Sequence, residues 1–364
     1  MIDEDYMKQA LLLARKGLGK TSPNPTVGAI IVKDGKIIGR GYHHKFGGKH
    51  AEVNAIESAE ESLDGATLYV TLEPCCHHGK TPPCTDAVIQ NKLGRVVIGT
   101  LDPNPRVSGR SVEILRQHGI ETKVGVLEEE CRSLNEAHFK YMTTGLPLVT
   151  VKFAQTLDGR IATVTGSSRW ISSSESRRLA HKLRAINDAV MVGIGTILAD
   201  DPQLTVRLVK GRNPARVILD SGLRIPLDSK TVVGQEAAAT IIATTPRADE
   251  EKVSRLREMG VEVLLTQEDE QGEVDIKHLL GMLGQRGISS VLLEGGSGVI
   301  TSLLRLGLVD KLVIFVAPKI MGKGIEAVGE LNIADVDQAL KLPFGRIYRM
   351  GEDLVIEARV SHKG

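Results

Sequence analysis

One histidine, one glutamate and two cysteines have residue types and spacings that suit hydrolytic chemistry on a zinc ion. His50 and Glu52 form an H-x-E motif, and Cys75 directly follows a proline, with Cys84 further along the chain. Three such ligands, His50, Cys75 and Cys84, bind Zn²⁺ and leave a fourth tetrahedral position open for water. This combination is typical of zinc-dependent base deaminases, in which the glutamate transfers protons and is not a ligand. We therefore predict that Glu52 is the catalytic residue.

The two cysteines lie further apart than in the compact C-x-x-C pattern. We expect Cys75 in a loop after a strand, whereas Cys84 follows Pro82-Pro83 at the start of a helical run. A helix N-terminus lowers the pKa of a thiol and favours the thiolate that binds metal, so the pKa of Cys84 should be lowered. Cys76 should point away from its neighbour, and Cys131 should be a buried apolar residue.

Structural and catalytic zinc sites differ in their fourth ligand, and both interpretations remain open. Structural sites use four protein ligands, and Cys76, His77 or His78 would supply the fourth. The chain would then be a zinc-stabilised ligand-binding or regulatory protein. Another alternative is a nucleoside or tRNA deaminase with a degenerate second domain. The spacing of Glu52 favours catalysis.

Length and composition predict two domains and a small-molecule substrate. A chain of 364 residues is too long for one small core, and its 41% hydrophobic and 25% charged residues are ordinary for a globular protein. The net charge of +1 and the 3% of aromatic residues give no case for a nucleic-acid partner. No apolar run could span a bilayer, and the acidic N-terminus is unlike a signal peptide, so we expect a cytoplasmic protein without a membrane partner. Three of the four cysteines lie close together, which indicates metal binding rather than disulfides.

Alternating strands and helices predict a layered α/β architecture that positions the zinc ligands. Asp34-Gly35 is a strong hairpin signal between two strands, and a strand ending at Leu72 should deliver Cys75. The zinc ion would then lie between two helix starts at one edge of a sheet. The alternation restarts near Leu148, so we predict domains at 1–145 and 146–364.

Two glycine-containing turns follow strands in the second half of the chain. One is Gly295-Gly296-Ser297-Gly298, and the other is Gly193-Ile194-Gly195-Thr196. Backbone N–H groups and a helix dipole at such turns bind phosphate, and two of them would suit a dinucleotide. Neither is the G-x-G-x-x-G fingerprint, so the pattern does not predict a Rossmann domain.

Over essentially its whole length, the chain resembles the bifunctional deaminase/reductase family of riboflavin biosynthesis. The resemblance rests on HAE at 50–52, EPCCHHGKTPPC at 73–84, VKFAQTLDGRIA at 151–162, SRWIS at 168–172, GIGT at 193–196 and LEGG at 293–296. It implies a cytidine-deaminase-like three-layer α/β/α domain followed by a dihydrofolate-reductase-like α/β domain. It implies one Zn²⁺ per chain, NADPH, and a diaminopyrimidinone substrate with a ribosylamine 5′-phosphate. We also expect a homo-oligomer, either a dimer or a tetramer.

The same resemblance assigns roles to individual residues. It makes Glu52 catalytic and His50, Cys75 and Cys84 the metal ligands. It also implies that the deaminase substrate is bound by Asn24, His43, Lys80 and Asn104. It assigns the reductase substrate to Lys152, Ser168, Arg184, Leu204, Arg207 and Glu294, of which Lys152 and Glu294 would polarise the ribose. It assigns the cofactor to Ala154, Trp170, Thr196, Asp200, Ser221, Gly296, Ser297 and Gly298.

Several of these residues also have a structural interpretation that the sequence leaves open. Asn24 would shape its proline-flanked turn, and Lys80 would be a solvated loop lysine. Trp170 would be a packing anchor, and Arg184 would belong to the solvated face of a helix rich in Arg and Lys. Asp158-Gly159 is predicted to be a turn outside the site.

Overall fold

Two large β-sheets organise the described residues, one on each side of Gly145, and a third, short sheet pairs Arg160–Thr163 with Gly324–Glu326. The computed structural model describes residues 2–78, 82–104 and 107–361. The chain divides into two compact units, Met1–Gly145 and Leu146–Gly364. Among the described residues, no helix is both long enough and apolar enough to cross a membrane.

The first unit alternates helices with the strands of one mixed sheet. Its elements are α1 Asp3–Ala14, β1 Gly28–Lys33, β2 Lys36–Tyr42, α2 Ala51–Glu57, β3 Thr67–Leu72, α3 Cys84–Gln90, β4 Arg95–Thr100, α4 Arg110–Gln117, β5 Glu121–Val124, α5 Glu128–Leu134 and α6 Glu136–Thr144. The strand order is β2-β1-β3-β4-β5. Strand β1 is antiparallel to both of its neighbours, and β3, β4 and β5 are parallel.

Helices cover both faces of this sheet. Successive residues of a strand point to opposite faces, and in β1 all of them except the last are buried. Ala29 and Ile31 pack in the cluster that includes residues of α2, α3 and α4. Ile30 and Val32 pack in the cluster that includes residues of α1 and α5. The first unit therefore has three layers.

Glycine allows α2 to pack unusually close to β2. A Cβ atom at Gly41 would lie 2.2 Å from the carbonyl oxygen of Ala51 and 2.3 Å from the backbone nitrogen of Ala55. Because real Cβ atoms do not approach backbone atoms so closely, any other residue at 41 would displace the helix. This contact fixes the helix that begins directly after His50.

The second unit contains a longer sheet. Its elements are β6 Leu148–Thr156, β7 Arg160–Thr163, α7 Ser174–Ile186, β8 Ala189–Gly193, α8 Ile194–Asp200, β9 Ala215–Leu219, α9 Lys230–Val233, β10 Thr240–Thr244, α10 Glu250–Glu258, β11 Glu262–Leu265, α11 Ile276–Gln285, β12 Ser290–Glu294, α12 Ser297–Arg305, β13 Lys311–Ala317, β14 Gly324–Glu326, β15 Phe344–Met350 and β16 Asp353–Arg359. The order is β11-β10-β9-β8-β12-β6-β13-β16-β15. The strands from β11 to β13 are parallel, whereas β16 and β15 are antiparallel.

The order of this sheet brings the two glycine turns together. Strands β8 and β12 are parallel neighbours, so their carboxyl ends lie at the same edge of the sheet. Gly193 ends β8 and Ile194 begins α8 directly after it, whereas Gly295-Gly296 separates β12 from α12. Ligands of parallel α/β sheets bind at this kind of edge.

Candidate active sites

Three metal-binding side chains converge in the first unit. His50 caps the N-terminus of α2, Cys84 is the first residue of α3, and Cys75 lies in the loop after β3. Their ligand atoms lie within 4.8 Å of one another. His50 Nδ1 is 3.2 Å from Cys84 Sγ and 3.4 Å from Cys75 Sγ. Nitrogen and sulfur ligands of one tetrahedral zinc ion are about 3.6 Å apart, given ordinary bond lengths, so the cluster fits a single ion.

This cluster has the composition of an open zinc site. In the described part of the chain, no fourth His, Cys, Asp or Glu belongs to it. The thiol of neighbouring Cys76 instead interacts with Ser111, and Cys131 is fully buried, as the sequence predicts. Three protein ligands with one open position are typical of catalytic zinc sites.

The two thiols share their proton unequally. A hydrogen bond from the Cys84 thiol lowers the pKa of Cys75 to about 4, and His50 contributes to this shift. The same pairing, together with burial, raises the pKa of Cys84 well above its usual value. The expectation of a lowered pKa for Cys84 is therefore wrong. The backbone N–H of Cys84, at the start of α3, donates to Cys75 Sγ over 3.3 Å, so the helix N-terminus stabilises the thiolate of Cys75 instead.

Glu52 lies beside this cluster and is almost fully buried, with 3% of its surface exposed. Burial raises the pKa of Glu52 to about 7. A carboxyl group with this pKa can both accept and donate a proton near neutral pH, which suits a general acid and base.

A cavity of about 360 Å³ adjoins the cluster. His50, Cys75 and Glu52 line it, together with the predicted substrate residues Asn24, His43 and Asn104. Lys80, the fourth predicted substrate residue, lies outside the described residues.

The hydrogen bonds of His43 fix its tautomer. Nδ1 is 3.0 Å from the carbonyl oxygen of Lys49, which can only accept, so Nδ1 carries the proton. Nε2 is then an acceptor, and the side-chain amide of Asn24 lies 3.5 Å from it. Burial lowers the pKa of His43 and keeps the ring neutral. The residue therefore anchors the backbone immediately before His50.

Sequence patterns missed Glu73, a buried residue that lines the same cavity. Its carboxylate accepts hydrogen bonds from the backbone N–H groups of Asp102 and Gly109, at 3.2 and 3.0 Å. It also accepts from the hydroxyl of Ser111 at 2.7 Å. These bonds hold both ends of the segment that carries Asn104. The only signal in the sequence is its place directly before Pro74-Cys75.

The second unit contains a larger cavity, of about 1560 Å³. All the predicted reductase residues line it: Lys152, Ala154, Ser168, Trp170, Arg184, Thr196, Asp200, Leu204, Arg207, Ser221, Glu294, Gly296, Ser297 and Gly298. These residues come from widely separated stretches, and the fold brings them to one space.

A buried group of charges lies in this cavity. The guanidinium of Arg184 donates two hydrogen bonds to the carboxylate of Glu294, at 2.6 and 2.8 Å. Burial alone would raise the pKa of Glu294, but the Arg184 guanidinium holds it at about 2. Burial lowers the pKa of Lys152, and Glu294 opposes that shift. Arg184 is therefore a buried ion-pair partner, not part of a solvated helix face.

The two glycine turns meet at Thr196. Gly295 and Gly296 have φ values of 77° and 82°, which favour glycine. A Cβ atom at either position would lie 3.6 Å from Thr196 Oγ1. The N-termini of α8 and α12 thus face one region of the cavity, as a dinucleotide cradle requires.

Trp170 is a surface residue of the cavity, with 63% of its area exposed. The guanidinium of Arg177 lies 4.5 Å from the centre of its ring. The Nζ of Lys319 donates to the carbonyl oxygens of Trp170 and Ile171 at 2.7 and 2.8 Å. Its exposure excludes a core position, and its place in the cavity lining is where the predicted cofactor contact would be made.

Asp158 forms a turn, as predicted, but it also has a structural role. Its carboxylate accepts hydrogen bonds from the backbone N–H groups of Met321 and Gly322. It thereby joins the turn after β6 to the segment after β13.

Sequence patterns also missed His181, which lies on α7 and lines the larger cavity. Its Nδ1 accepts a hydrogen bond from the backbone N–H of Arg207 over 3.0 Å. The spacing of His181 and Arg184, three residues apart on a helix, is the signal that would have indicated a shared face.

Two family models match these two units. The cytidine and deoxycytidylate deaminase zinc-binding region matches residues 1–100, and the RibD C-terminal domain matches residues 147–356. With the geometry above, they define the class of protein as a zinc-binding deaminase joined to a reductase, and they confirm the predicted fold class.

Relatives match over nearly the full length. The riboflavin biosynthesis protein RibD of Aquifex aeolicus is 51% identical over 356 residues, which cover 98% of each chain. A deaminase/reductase structure from Thermotoga maritima has a TM-score of 0.88 and 44% identity, with 99% of each chain covered. Acinetobacter baumannii RibD has a TM-score of 0.90 and 37% identity, again with 99% of each chain covered.

The chain therefore belongs to the family of the riboflavin biosynthesis protein RibD. It is a bifunctional deaminase and reductase of riboflavin biosynthesis. Its cofactors are Zn²⁺ and NADPH, as the sequence predicts.

Proposed function

We propose that the chain deaminates 2,5-diamino-6-ribosylamino-4(3H)-pyrimidinone 5′-phosphate and then reduces the ribosyl group to give 5-amino-6-ribitylaminouracil 5′-phosphate. The observation that carries the proposal is the convergence of His50, Cys75 and Cys84 beside buried Glu52 in one cavity. The similar Thermotoga maritima protein is a diaminohydroxyphosphoribosylaminopyrimidine deaminase and 5-amino-6-(5-phosphoribosylamino)uracil reductase. We also propose that deamination belongs to residues 1–145 and reduction to residues 146–364.

In the deaminase site, we propose that Glu52 moves the protons. A zinc ion held by His50, Cys75 and Cys84 supplies a Lewis acid that lowers the pKa of bound water. Glu52, with a pKa of about 7, would accept the two protons of the attacking water in turn and deliver one to the ring nitrogen and the other to the leaving ammonia. Its burial keeps bulk water from competing for those protons.

The remaining cavity residues orient the pyrimidinone. Asn24, His43 and Asn104 offer hydrogen-bonding groups, and the neutral His43 ring presents a lone pair on Nε2. We assign the 5′-phosphate to Lys80, on the family resemblance alone.

In the reductase site, the protein aligns two ligands, because NADPH carries the hydride chemistry. Ala154, Trp170, Thr196, Asp200, Ser221 and Gly296–Gly298 would bind the cofactor. Ser168, Arg184, Leu204 and Arg207 would bind the substrate. Lys152 lies in the same buried charge group as Glu294, and these two residues would polarise the ribose.

We further propose a homo-oligomer, a dimer or tetramer, that acts in the cytoplasm. Among the described strands, β15 pairs only with β16, so its outer edge is open. Phe344 and Ile347 on β15 are 63% and 53% exposed. Open apolar edges promote association, and proteins usually cover them. Light scattering after size exclusion should give the mass of two or four chains, and a monomer would contradict this proposal.

Product mass analysis tests the two activities. Zinc-replete protein is incubated with the diaminopyrimidinone phosphate, with and without NADPH. We expect exchange of an amino for an oxo group without NADPH, and addition of two hydrogens when NADPH is present. Exchange alone would refute the assigned reduction, and no change in either tube would refute both activities.

A further inference from the structure

One ring nitrogen of His181 accepts a hydrogen bond from the protein backbone, and the other is available to a ligand. It lies on α7, lines the larger cavity and is 7% exposed. Nδ1 accepts from the backbone N–H of Arg207 over 3.0 Å. No residue in the described ranges hydrogen bonds to Nε2.

This bond to Arg207 fixes the tautomer. A backbone N–H can only donate, so Nδ1 must present a lone pair, and the proton of the neutral ring is on Nε2. Burial and the cations Arg184 and Arg207 lower the pKa of His181 to about 4, so the ring is neutral at physiological pH. Nε2 is not among the fully buried side-chain atoms that lack a partner, so water in the cavity can reach it, and a ligand that offers an acceptor can replace that water.

The surroundings of His181 favour an anionic acceptor. Lys152, Arg184 and Arg207 all influence its titration, and the only carboxylate that does so is Glu294. Glu294 is already paired with Arg184 in a bidentate contact. The guanidinium of Arg207 is held by Gln203 and Thr205, and no carboxylate of the described chain pairs with it.

We propose that His181 determines specificity in the reductase, by donating a hydrogen bond from Nε2 to the phosphate monoester of the substrate. Its bond to the backbone of Arg207 sets the tautomer and places the donor beside an arginine that lines the same cavity and is assigned to the same substrate. The assignment rests on the proposed function. A neutral donor adds a directional bond to an anion that the cations already attract, and it does so without further charge repulsion.

Two substitutions of His181 test the roles of its two ring nitrogens separately. In H181N the amide oxygen can replace Nδ1 and keep the bond to Arg207, but the donor is lost. In H181Q the amide nitrogen can reach the position of Nε2 and keep the donor. We expect H181N to raise the KM of the deaminated substrate roughly 10- to 100-fold, the value of a hydrogen bond to a charged group. H181Q should restore most of that loss.

A substrate without its 5′-phosphate gives a readout that a structural defect would not give. On this compound, kcat/KM of the wild type should fall close to that of H181N, because the missing partner makes the donor irrelevant. The Ki of inorganic phosphate as a competitor of the substrate should rise in H181N by the same factor as KM. Lys182 is the next residue on α7 and is exposed, so K182N is the matched control and should behave as the wild type.

NADPH also carries a phosphate monoester that could accept the hydrogen bond from His181. The KM of NADPH in the variants distinguishes this phosphate from that of the substrate. An increase in the KM of NADPH, with an unchanged KM for the substrate, would overturn the assignment to the substrate. A loss in H181Q with wild-type behaviour of H181N would assign the residue to positioning Arg207 alone, because only H181N keeps that bond, and would also overturn the proposal. Urea unfolding of the second unit reports folding of each variant, because the proposed deaminase site belongs to the other unit. If the wild type itself reduced no substrate, the proposed function would fail, which is a separate result.

Discussion

At the scale of single residues, the two sites keep ionisable groups in the state that their chemistry needs. Burial raises the pKa of Glu52 to about 7, which prepares it to exchange protons. In the other unit, the Arg184 guanidinium holds the pKa of buried Glu294 at about 2, which keeps it a carboxylate. The pKa values of two buried glutamates are thus shifted in opposite directions, because Glu294 has the Arg184 guanidinium as a hydrogen-bond partner.

Replacing Glu52 by glutamine should separate metal binding from catalysis. The amide keeps the volume of the side chain but cannot carry the proton. We expect the deamination rate to fall by at least about 100-fold, the usual contribution of general acid–base catalysis. Zinc content, measured by mass spectrometry of the metal, should remain one per chain. A variant with wild-type turnover would rule out this mechanism, and the retained zinc content serves as the folding control for the first unit.

Replacing Glu294 by glutamine should leave Arg184 as a buried charge without its anion. Breaking such a pair costs about 3–5 kcal/mol, so we expect lower stability of the second unit and loss of reduction. Because the pKa of Glu294 is depressed, its stabilising effect is complete above the unfolded pKa of about 4.3. It is lost as the pH falls towards the folded pKa of about 2.

Urea unfolding between pH 7 and pH 2 tests whether the stabilising effect of Glu294 is lost as the pH falls. The wild type should lose more stability than E294Q over the acidic part of that range, so the two curves should approach each other. Parallel curves would show that Glu294 does not titrate as described. The deaminase activity at pH 7 should be unchanged in E294Q.

At the scale of elements, the first residue of α1 joins the helix to three strands. The Asp3 carboxylate accepts hydrogen bonds from Tyr69 on β3, Arg95 on β4 and Lys123 on β5, at distances of 2.8 to 3.0 Å. The hydrogen bonds from Arg95 hold the pKa of Asp3 well below its usual value. A charged residue at a helix N-terminus also interacts favourably with the helix dipole.

Substituting alanine for Asp3 should therefore destabilise the first unit. The side chain is 17% exposed, so we expect a loss of about 1–3 kcal/mol in the free energy of unfolding. Glu121 contacts the same arginine but is 68% exposed, and E121A should cost less than about 1 kcal/mol. Urea unfolding at pH 7 measures both. Equal effects of the two variants would show that the contacts of Asp3 with Tyr69 and Lys123 contribute nothing.

Local signals explain which elements could be predicted from the sequence. Asp34 and Gly35 have φ values of 49° and 76°, as the predicted hairpin turn requires. Helices α5 and α6 were not predicted, because each buries a single residue, Cys131 or His138, and so has no apolar period. The hairpin of β15 and β16 was also missed, since the residues of β15 are mostly exposed and do not alternate.

The sequence motifs indicated the site residues, but they could not predict contacts between residues that are far apart in the chain. The ligand cluster and the cavity linings agree with the assigned residues because the motifs carry both chemistry and spacing. Glu73 and Gly109 are 36 positions apart, and His181 and Arg207 are 26 positions apart. No local pattern relates such pairs, and only the fold brings them together.

At the scale of the whole molecule, each unit has its own hydrophobic core. The two core clusters of the first unit contain only residues before Gly145, and the three clusters of the second contain only residues after it. The three proposed metal ligands, His50, Cys75 and Cys84, also belong to the first unit alone. Because neither core draws residues from the other unit, loss of the metal should have a local effect.

Removal of zinc should therefore abolish deamination and leave reduction intact. After chelation and dialysis, we expect no amino-to-oxo exchange, because three ligands without their ion supply no Lewis acid. Reduction of the deaminated substrate, supplied directly with NADPH, should proceed within about twofold of the untreated rate, since its cavity and core contain no metal ligand. Adding Zn²⁺ should restore deamination, whereas C84S should stay inactive after the addition because one ligand is missing. Parallel loss of both activities on chelation would mean that the ion organises the second unit as well, which the separate cores argue against.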